Sequence, residues 1–362
     1  MTHAPATVQR DTREQAADVC RVAAALREQV ARRIVGLDET VEQVLIAVLT
    51  EQHALLEGVP GLAKTLLVST VANLLDCTFR RIQFTPDLMP GDVTGGEVLG
   101  QDASGKRAFR FLPGPIFANV ILADEINRTP PKTQAALMEA MEERQVTSLG
   151  VRRPLDRPFL VLATQNPIEQ QGTYPLPIAQ LDRFMFKIRL AYPTREQEAR
   201  IVRLTTAALD PGPAAPVTSK AGLLGLQTVV ANGDVATDLM RFAVDLVRAS
   251  RPAEASAPPT VRDYVTWGAG PRAAQALIAG ARARALLRGR PAPDADDVRA
   301  LAPAVFRHRF VMSYAAEADG VTPDDVTRAL FEAIPGPGGP PQKDEPHWVK
   351  RLWASLVGAG SP

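Results

Sequence analysis

The segment Gly58–Thr65, GVPGLAKT, constrains the fold of this chain more than any other stretch of its sequence. It follows a short apolar run, HALLE, that predicts a strand, and it precedes KTLLVSTVANLL, which predicts a helix. Gly58 and Gly61 can adopt backbone angles that other residues avoid, and the loop ends in Lys64 and Thr65. Backbone N–H groups at a helix start, a lysine and a hydroxyl are the groups that bind phosphate and its Mg²⁺. The segment therefore predicts a phosphate-binding loop at a strand-to-helix turn.

Ala63 departs from the common pattern G-x-x-x-x-G-K-[ST], which has glycine before the lysine. We expect the residue before Lys64 to begin the helix, and alanine is compatible with helical angles. Its methyl group must still clear the phosphates. Taken alone, the loop leaves a second explanation open, which is a Gly-Pro turn that precedes a helix.

A second segment, VILADE, ends in Asp124 and Glu125 after an apolar run that predicts a strand buried on both faces. In a parallel sheet, ligands bind at the carboxyl ends of the strands. Asp124 can hold a metal ion, directly or through water, and Glu125 can act as general base on an attacking water. An acidic turn after a strand is the alternative, and a phosphate loop roughly 60 residues earlier favours the functional interpretation.

Three further polar side chains lie near predicted strand ends or helix starts. Asn166, in LATQNP, can orient the water or contact the γ-phosphate, or it can simply form an Asn-Pro turn. Arg183, in AQLDRF, can stabilise charge on a γ-phosphate of its own or a neighbouring subunit, or it can form a surface salt bridge. Arg272, in GAGPRAAQ, begins a predicted helix, where a positive charge is unfavourable unless an anion lies nearby.

Strand and helix patterns alternate through the first part of the chain, which predicts an α/β domain with a parallel sheet. The predicted strands are HALLEG, TFRRIQFT, ANVILADE, PFLVLATQNP and MFKIRLAY. Four helical segments follow a Pro/Ala-rich stretch, and in the last of them Thr322 is the expected N-cap with Pro323 at the first position. The predicted regions are a disordered N-terminus (1–15), an α/β core (16–208), a linker (209–217), a small all-α lid (218–334) and a Pro/Gly spacer with an amphipathic tail (335–362).

Composition limits the function classes. The chain has 41 Lys plus Arg against 40 Asp plus Glu, and this balance argues against wrapping duplex DNA. Cys20 and Cys77 give neither a zinc pattern nor a disulfide framework. The N-terminus has no apolar signal-peptide core, and no apolar run is long enough to span a bilayer. We therefore expect a cytoplasmic protein with no membrane span.

Taken together, several motifs resemble the MoxR group of AAA+ ATPases over most of residues 30–310. These motifs are GVPGLAKT, VILADEINRTPPKTQAALMEAMEERQVT, LATQNPIEQQGTYPLPIAQLDRF and GAGPRA. An alanine before the lysine is usual in that group, so the resemblance favours a working phosphate site. It implies an AAA+ P-loop NTPase core with a parallel sheet, followed by a small all-α lid domain.

The resemblance also implies roles for single residues. Asp124 with Glu125 is similar to Walker B, and Asn166 to sensor 1. Arg183 resembles the arginine finger that acts across a subunit interface, and Arg272 the sensor 2 arginine. Thr65 and Asp124 are the implied Mg²⁺ ligands. The implied nucleotide contacts are Val35 and Gly36 against adenine, the Walker A residues Gly58, Val59, Pro60, Gly61, Leu62, Ala63, Lys64 and Thr65, and also Leu66 and Asp124.

The function implied by the resemblance is an ATP-driven, chaperone-like remodeller that works as a homo-oligomeric ring, expected to be a hexamer. ATP would lie between the α/β domain and the lid. TPDLMPGDVTGGEVLG is similar to an insert that faces the central pore, and QVTSLGVRRPLDRP to a hairpin before sensor 1. Such ATPases assemble, mature or activate protein complexes, often with a partner that carries a von Willebrand factor A domain.

The alternative is a nucleic-acid-associated AAA+ motor or transcription activator, which would need a basic pore or an attached DNA-binding domain. The clustered arginines Arg282, Arg284, Arg288 and Arg290 are more simply interpreted as a solvated helix face, so no nucleic-acid partner is expected.

Overall fold

A computed structural model describes residues 12–101, 107–148, 150–168, 172–206 and 215–337 of the chain. The elements of the first domain are α1 (Thr12–Ala31), α2 (Asp38–Leu49), β1 (Ala54–Glu57), α3 (Lys64–Leu74), β2 (Phe79–Gln83), α4 (Pro90–Thr94), β3 (Gly95–Gln101), β4 (Arg107–Pro113), β5 (Val120–Asp124), α5 (Pro131–Glu143), β6 (Gln145–Ser148), β7 (Val151–Pro154), β8 (Leu160–Gln165), α6 (Ile178–Leu181), β9 (Phe186–Arg189) and α7 (Arg195–Thr206). The elements of the second domain are α8 (Lys220–Ala231), α9 (Thr237–Ala249), α10 (Pro259–Tyr264), β10 (Val265–Trp267), α11 (Pro271–Leu287), α12 (Ala295–Phe306), β11 (Val311–Met312), α13 (Tyr314–Ala318) and α14 (Pro323–Ala333).

The first domain is built on a five-stranded sheet in the order β2-β5-β8-β1-β9, in which every pairing is parallel. Successive residues of a strand point to opposite faces. Leu56 and Leu122 enter the core shared with α1, α2 and α3, whereas Leu55 and Ile121 enter the core formed with α5. Both faces of the sheet are therefore covered, and the prediction of a parallel α/β fold from five apolar segments is confirmed.

Two excursions leave this sheet. Between β2 and β5 the chain forms α4 and the antiparallel hairpin β3–β4, and between α5 and β8 it forms the hairpin β6–β7. The second is the hairpin expected before the strand that ends in Gln165, and that prediction is confirmed.

The second domain is the predicted lid, and its last helix begins as expected. The Thr322 hydroxyl accepts a hydrogen bond from the Asp325 backbone N–H, and the Asp325 carboxylate accepts one from Thr322 N–H. The lid is not wholly helical, however, because β10 and β11 pair as a short antiparallel ribbon. The prediction also missed α8, α10 and α13. Helices α10 and α13 are each shorter than two turns and therefore carry little periodicity.

The predicted boundaries meet the described residues only in part. Helix α1 begins at Thr12, before the expected start of the core at residue 16. Residues 209–214 of the predicted linker (209–217), residues 1–11 of the predicted N-terminus (1–15) and residues 338–362 of the predicted spacer and tail (335–362) lie outside the described residues. Within the part of the chain that is described, none of the helices combines the length and the apolar character needed to cross a bilayer.

His53, immediately before β1, connects the sheet to helix α5. Its Nδ1 accepts a hydrogen bond from Val161 N–H at 3.0 Å, so Nε2 carries the proton and donates to the Met141 carbonyl at 3.2 Å. Burial lowers the pKa of His53 to about 4, because a charged ring would lose its hydration. The native fold therefore contains a neutral imidazole at this position.

We expect His53 to make the fold less stable in acid. Its pKa lies below the ordinary value of 6.5, so the unfolded chain binds more protons between the two values. The stability contributed by the neutral His53 ring is fully present above the unfolded pKa. It is lost as the pH falls toward the folded pKa, and the total loss is about 3 kcal/mol. Urea unfolding at about pH 7 and about pH 4.5 should show a smaller loss in His53→Gln than in the wild type. Equal losses in both proteins would contradict this role.

Candidate nucleotide-binding site

Polar residues end neighbouring strands at the carboxyl edge of the sheet. The parallel register pairs Gln83 with Asp124 and Glu57 with Gln165. The predicted phosphate loop, Gly58–Thr65, leaves β1 at this same edge. The structure thus brings the loop to the edge where the two predicted carboxylates lie, as ligand sites of parallel sheets require.

The loop has the geometry of a cradle. Gly58 N–H donates to the Gln165 carbonyl at 3.3 Å, and a side chain at Gly58 would approach Leu190 Cβ to 2.9 Å. Gly61 has a φ of +87°, and no atom lies within 4 Å of where its Cβ would be. Lys64 Nζ folds over the loop and donates to the Gly58 carbonyl at 2.6 Å. A positive amine above an open loop at a helix start fits a phosphate group.

Ala63 does not begin the helix, and the expectation that it adopts helical angles is wrong. Its φ of 53° and ψ of 24° are left-handed, and α3 begins one residue later, at Lys64. A left-handed conformation costs an L-residue roughly 1–2 kcal/mol because Cβ approaches the following carbonyl. This cost is the physical reason why the common pattern has glycine here. The Ala63 methyl is exposed, so the loop accommodates it without a packing conflict.

A buried hydroxyl holds the two carboxylate residues. Thr164 Oγ1 donates to Asp124 Oδ1 at 2.6 Å and accepts from Glu125 N–H at 2.8 Å. Glu125 has a φ of 57°, a left-handed conformation rare outside glycine and often found at functional sites. The chain therefore turns sharply between the two residues. Asp124 remains buried, whereas Glu125 is only partly buried.

Two residues on the edge strand β2 were missed from the sequence. Arg81 donates to Asp124 Oδ2 through Nε at 3.0 Å and Nη2 at 2.6 Å, and also to Gln83 Oε1 at 2.6 Å. Gln83 in turn donates to Glu125 Oε2 at 2.9 Å, and Arg128 forms an ion pair with the same oxygen at 3.2 Å. The alternation in TFRRIQFT predicted the strand, but it could not indicate that β2 lies beside β5. A metal ion on Asp124 would have to share or displace the contact with Arg81.

Asn166 follows β8 at the same edge and is buried. Its Oδ1 accepts a hydrogen bond from Ile168 N–H at 3.2 Å, which closes the Asn-Pro turn. The Asn-Pro turn, which was the structural alternative for Asn166, is therefore present in the fold. A contact of the Asn166 amide nitrogen with water or phosphate is compatible with this turn and stays a prediction.

Arg183 and Arg272 meet at the opposite edge of the sheet. Both bind Glu142 at the end of α5, Arg183 at 2.5 Å and Arg272 at 2.6 Å. Arg183 precedes β9, which runs parallel to β1, whereas the phosphate loop follows β1. The length of a four-residue strand, about 13 Å, therefore separates the arginines from Lys64 at least. In this conformation neither arginine reaches the phosphate loop of its own chain.

The segment predicted to contact adenine, Val35 and Gly36, connects α1 to α2. Gly36 has a φ of +80°, and a side chain there would collide with Gln197 of α7, at 2.5 Å from its Cδ. A cavity of about 540 Å³ is lined by residues that flank this segment, including Ile34, Leu37 and Arg284. None of the residues that line the cavity belongs to the phosphate loop, so it is not the phosphate site. Adenine contacts of Val35 and Gly36 stay a prediction.

Comparisons with known proteins agree with these two domains. Residues 53–186 match the profile of the ATPase family associated with various cellular activities (AAA). Residues 260–330 match the profile of the AAA lid domain. The first match ends at the beginning of β9, and the second covers most of α10 through α14.

Relatives match over most of the chain. Chaperone MoxR1 of Mycobacterium tuberculosis is 45% identical over 306 residues, which cover 84% of this chain and 80% of the relative. Protein MoxR of Methylorubrum extorquens is 31% identical over 337 residues, which cover 87% and 95%. A crystal structure of a candidate ATPase from Cytophaga hutchinsonii matches with a TM-score of 0.83 and 38% identity, over 89% of this chain and 97% of that one.

We expect Ala63→Gly to stabilise the protein by roughly 0.5–1 kcal/mol, because relief of the left-handed strain exceeds the added freedom of the unfolded chain. The matched control is Ala135→Gly, an exposed position in the right-handed helix α5, which should destabilise by about 1 kcal/mol. Urea unfolding of both variants measures the difference. A loss of stability in Ala63→Gly similar to that of the control would contradict the strain argument.

Proposed function

The chain belongs to the MoxR family of chaperone-like AAA+ ATPases, and from this membership we propose that it hydrolyses ATP to remodel protein complexes. One observation carries the proposal, which is the convergence of Lys64, Asp124 and Glu125 on one edge of a parallel sheet. A phosphate-binding amine, a metal-binding carboxylate and a carboxylate base are the groups that hydrolysis of a nucleoside triphosphate uses.

In this proposal, Lys64 and the N–H groups of the loop Gly58–Thr65 bind the β- and γ-phosphates. Thr65 and Asp124 are the proposed ligands of Mg²⁺, which neutralises phosphate charge when it is bound. Magnesium commonly binds one or two protein oxygens and completes its coordination shell with phosphate and water oxygens. The hydroxyl of Thr65 and the carboxylate of Asp124 fit this coordination. A metal ion has to share Asp124 with Arg81 or displace it from Oδ2, so the protein already keeps a positive charge beside the proposed metal position.

Glu125 is the proposed base for the attacking water. Gln83 and Arg128 hold its Oε2, and the Thr164 hydroxyl holds its backbone N–H, so the carboxylate has a defined direction. Positioning of the water and the base accounts for most of what a protein contributes to this reaction. Asn166 ends the neighbouring strand and is the proposed second contact of the water or the γ-phosphate.

The arginines support a ring in which each nucleotide lies between subunits. Arg183 and Arg272 lie together on the far edge of the sheet, where they could meet the phosphates of a neighbouring copy. The cluster contains three guanidinium groups against two carboxylates, a positive excess that suits a triphosphate; its members are Arg183, Arg272, Arg309, Asp182 and Glu142. We propose a homo-oligomer, with six copies as the expected number.

The insert after β2 is the proposed contact with protein clients. It exposes large apolar side chains that no core requires, namely Met89, Val98, Leu99, Phe109 and Leu112. Apolar side chains on a hairpin can bind the exposed chains of incompletely assembled proteins. A partner with a von Willebrand factor A domain remains part of the proposal, supported by the family alone.

A nucleic-acid role is less well supported, because the clustered arginines in and just after α11 are not a free basic face. Arg284 binds the buried Asp297 at 2.8 Å, Arg288 binds Glu42 at 3.2 Å, and Arg290 also binds Asp297. Arg282 donates to the Ala231 carbonyl at 3.1 Å. Three of the four clustered arginines thus have carboxylate partners within the fold, so the expectation of a solvated helix face is corrected to a largely paired one. Phosphate contacts need uncompensated positive charge.

We expect Glu125→Gln to keep ATP affinity within about threefold and to lower turnover at least about 100-fold, because the amide cannot accept the proton of the attacking water. Phosphate release and binding of a fluorescent ATP analogue measure the two quantities. Glu139→Gln, at an exposed position of α5, is the matched control and should leave both unchanged. Undiminished turnover in Glu125→Gln would contradict the assignment of Glu125 as the general base.

We expect Arg183→Ala to lower turnover about 10³-fold without weakening ATP binding, because the arginine serves the site of a neighbour. Lys64→Ala has the complementary defect, with a failed phosphate loop and an intact arginine. An equal mixture of the two variants should recover about a quarter of wild-type activity, since about one interface in four combines an intact loop with an intact arginine. A mixture as inactive as its components would exclude action across the interface.

A further inference from the structure

The lid residue Arg309 is buried against the segment that carries Arg183. Its side chain is only 3% exposed, and all three guanidinium nitrogens donate hydrogen bonds. Nε donates to Asp182 Oδ1 at 2.8 Å. Nη2 donates to the carbonyls of Asp182 and Phe184 at 3.2 and 2.7 Å, and Nη1 to that of Met185 at 3.1 Å. One side chain of the lid therefore holds the residues on both sides of Arg183.

The neighbouring lid residue His308 reinforces the same contact. Its Nε2 lies 2.9 Å from the Phe184 carbonyl, which can only accept, so Nε2 carries the proton. Burial lowers the pKa of His308 well below its ordinary value, and the ring stays neutral in this tautomer. His308 and Arg309 thus attach the lid to Asp182–Met185 through the backbone of that segment.

The second arginine of the cluster belongs to the same unit. Arg272 begins helix α11 of the lid, binds Glu142 at 2.6 Å and has its Nε 4.0 Å from Asp182 Oδ2. Asp182 therefore faces Arg309 with one carboxylate oxygen and Arg272 with the other. A movement of the lid would carry both Arg272 and Arg183, because the same aspartate and its segment connect them.

We propose that Arg309 is a positioning residue that fixes Arg183 for the nucleotide of the neighbouring subunit and couples the arginine to lid movement. This inference rests on the proposed function, in which Arg183 completes a neighbour's site. Burial of a guanidinium is costly unless its donors are all used. Apart from the Val305 carbonyl of α12, which accepts from Nη1 at 2.6 Å, the acceptors all come from the short segment around Arg183, so most of the cost is offset at that segment.

The test uses Arg309→Lys, which keeps the charge but cannot reproduce the fork of donors. Turnover should fall about tenfold to a hundredfold, because a displacement of about 1 Å is costly in a positioned site, while KM for ATP stays within about twofold. An equal mixture with Lys64→Ala should restore activity. At some interfaces of the mixed ring, the intact loop of an Arg309→Lys subunit meets the correctly held Arg183 of a Lys64→Ala subunit. In the background of Arg183→Ala, Arg309→Lys should cause no further loss.

The control is Arg290→Gln, which removes the lid ion pair between Arg290 and the buried Asp297, a contact that does not touch Asp182–Met185. It should lower the melting temperature but keep turnover within about twofold at a temperature where it is folded. If Arg309→Lys does not fold, Asp182→Asn removes the charged partner of Arg309 from the other side and should show the same repair.

The outcomes separate this inference from the function on which it rests. If Arg183→Ala with Lys64→Ala recovers activity but Arg309→Lys (or Asp182→Asn) with Lys64→Ala does not, the positioning role is overturned. Full activity of Arg309→Lys, or a further loss in the Arg183→Ala background, would also overturn it. If neither mixture recovers, the proposed action across the interface has failed first.

Discussion

The parallel register of five strands is the constraint on which the rest of the structure depends. It aligns the ends of β5, β8 and β1: Gln165 pairs with Glu57, and Ala123 pairs with Ala163, so Asp124 lies within one residue of the row that Gln165 and Glu57 form. The phosphate loop has to leave the sheet at that row because it follows β1. The segment before β9 has to lie at the opposite edge for the same reason, and this separates Arg183 from the loop of its own chain.

The charged groups of the two edges are held by partners within the chain. Lys64 binds the Gly58 carbonyl, Asp124 binds Arg81, and both Arg183 and Arg272 bind Glu142. Each partner has the charge or polarity that a phosphate, a metal ion or a neighbour's nucleotide would supply. Unpaired charges beside a sheet edge are costly. Nucleotide and neighbour would therefore compete with existing contacts, and the exchange of partners offers a route from binding to movement.

Local patterns in the sequence were sufficient where a short-range interaction determines the structure. The N-cap at Thr322 and the apolar strands depend on neighbours a few residues away, and they formed as expected. The prediction of helical angles for Ala63 was wrong, and composition could not have revealed why. The left-handed angle of Ala63 is set by the path of the chain from β1 into α3. The ribbon β10–β11 pairs residues 265–267 with 311–312, and no local pattern indicates a pairing over such a separation.

The sequence by itself determined the parallel α/β class and the carboxylates that end a strand, and it predicted a phosphate loop at Gly58–Thr65. These follow from hydrophobic periodicity and residue chemistry, which act over a few positions. Only the tertiary structure decided which strands are neighbours, and therefore that Arg81 and Gln83 contact Asp124 and Glu125. It also decided that Arg309 of the lid holds the segment around Arg183, a contact between residues 127 positions apart. Such contacts depend on how the packed layers meet, and a one-dimensional pattern carries no record of that.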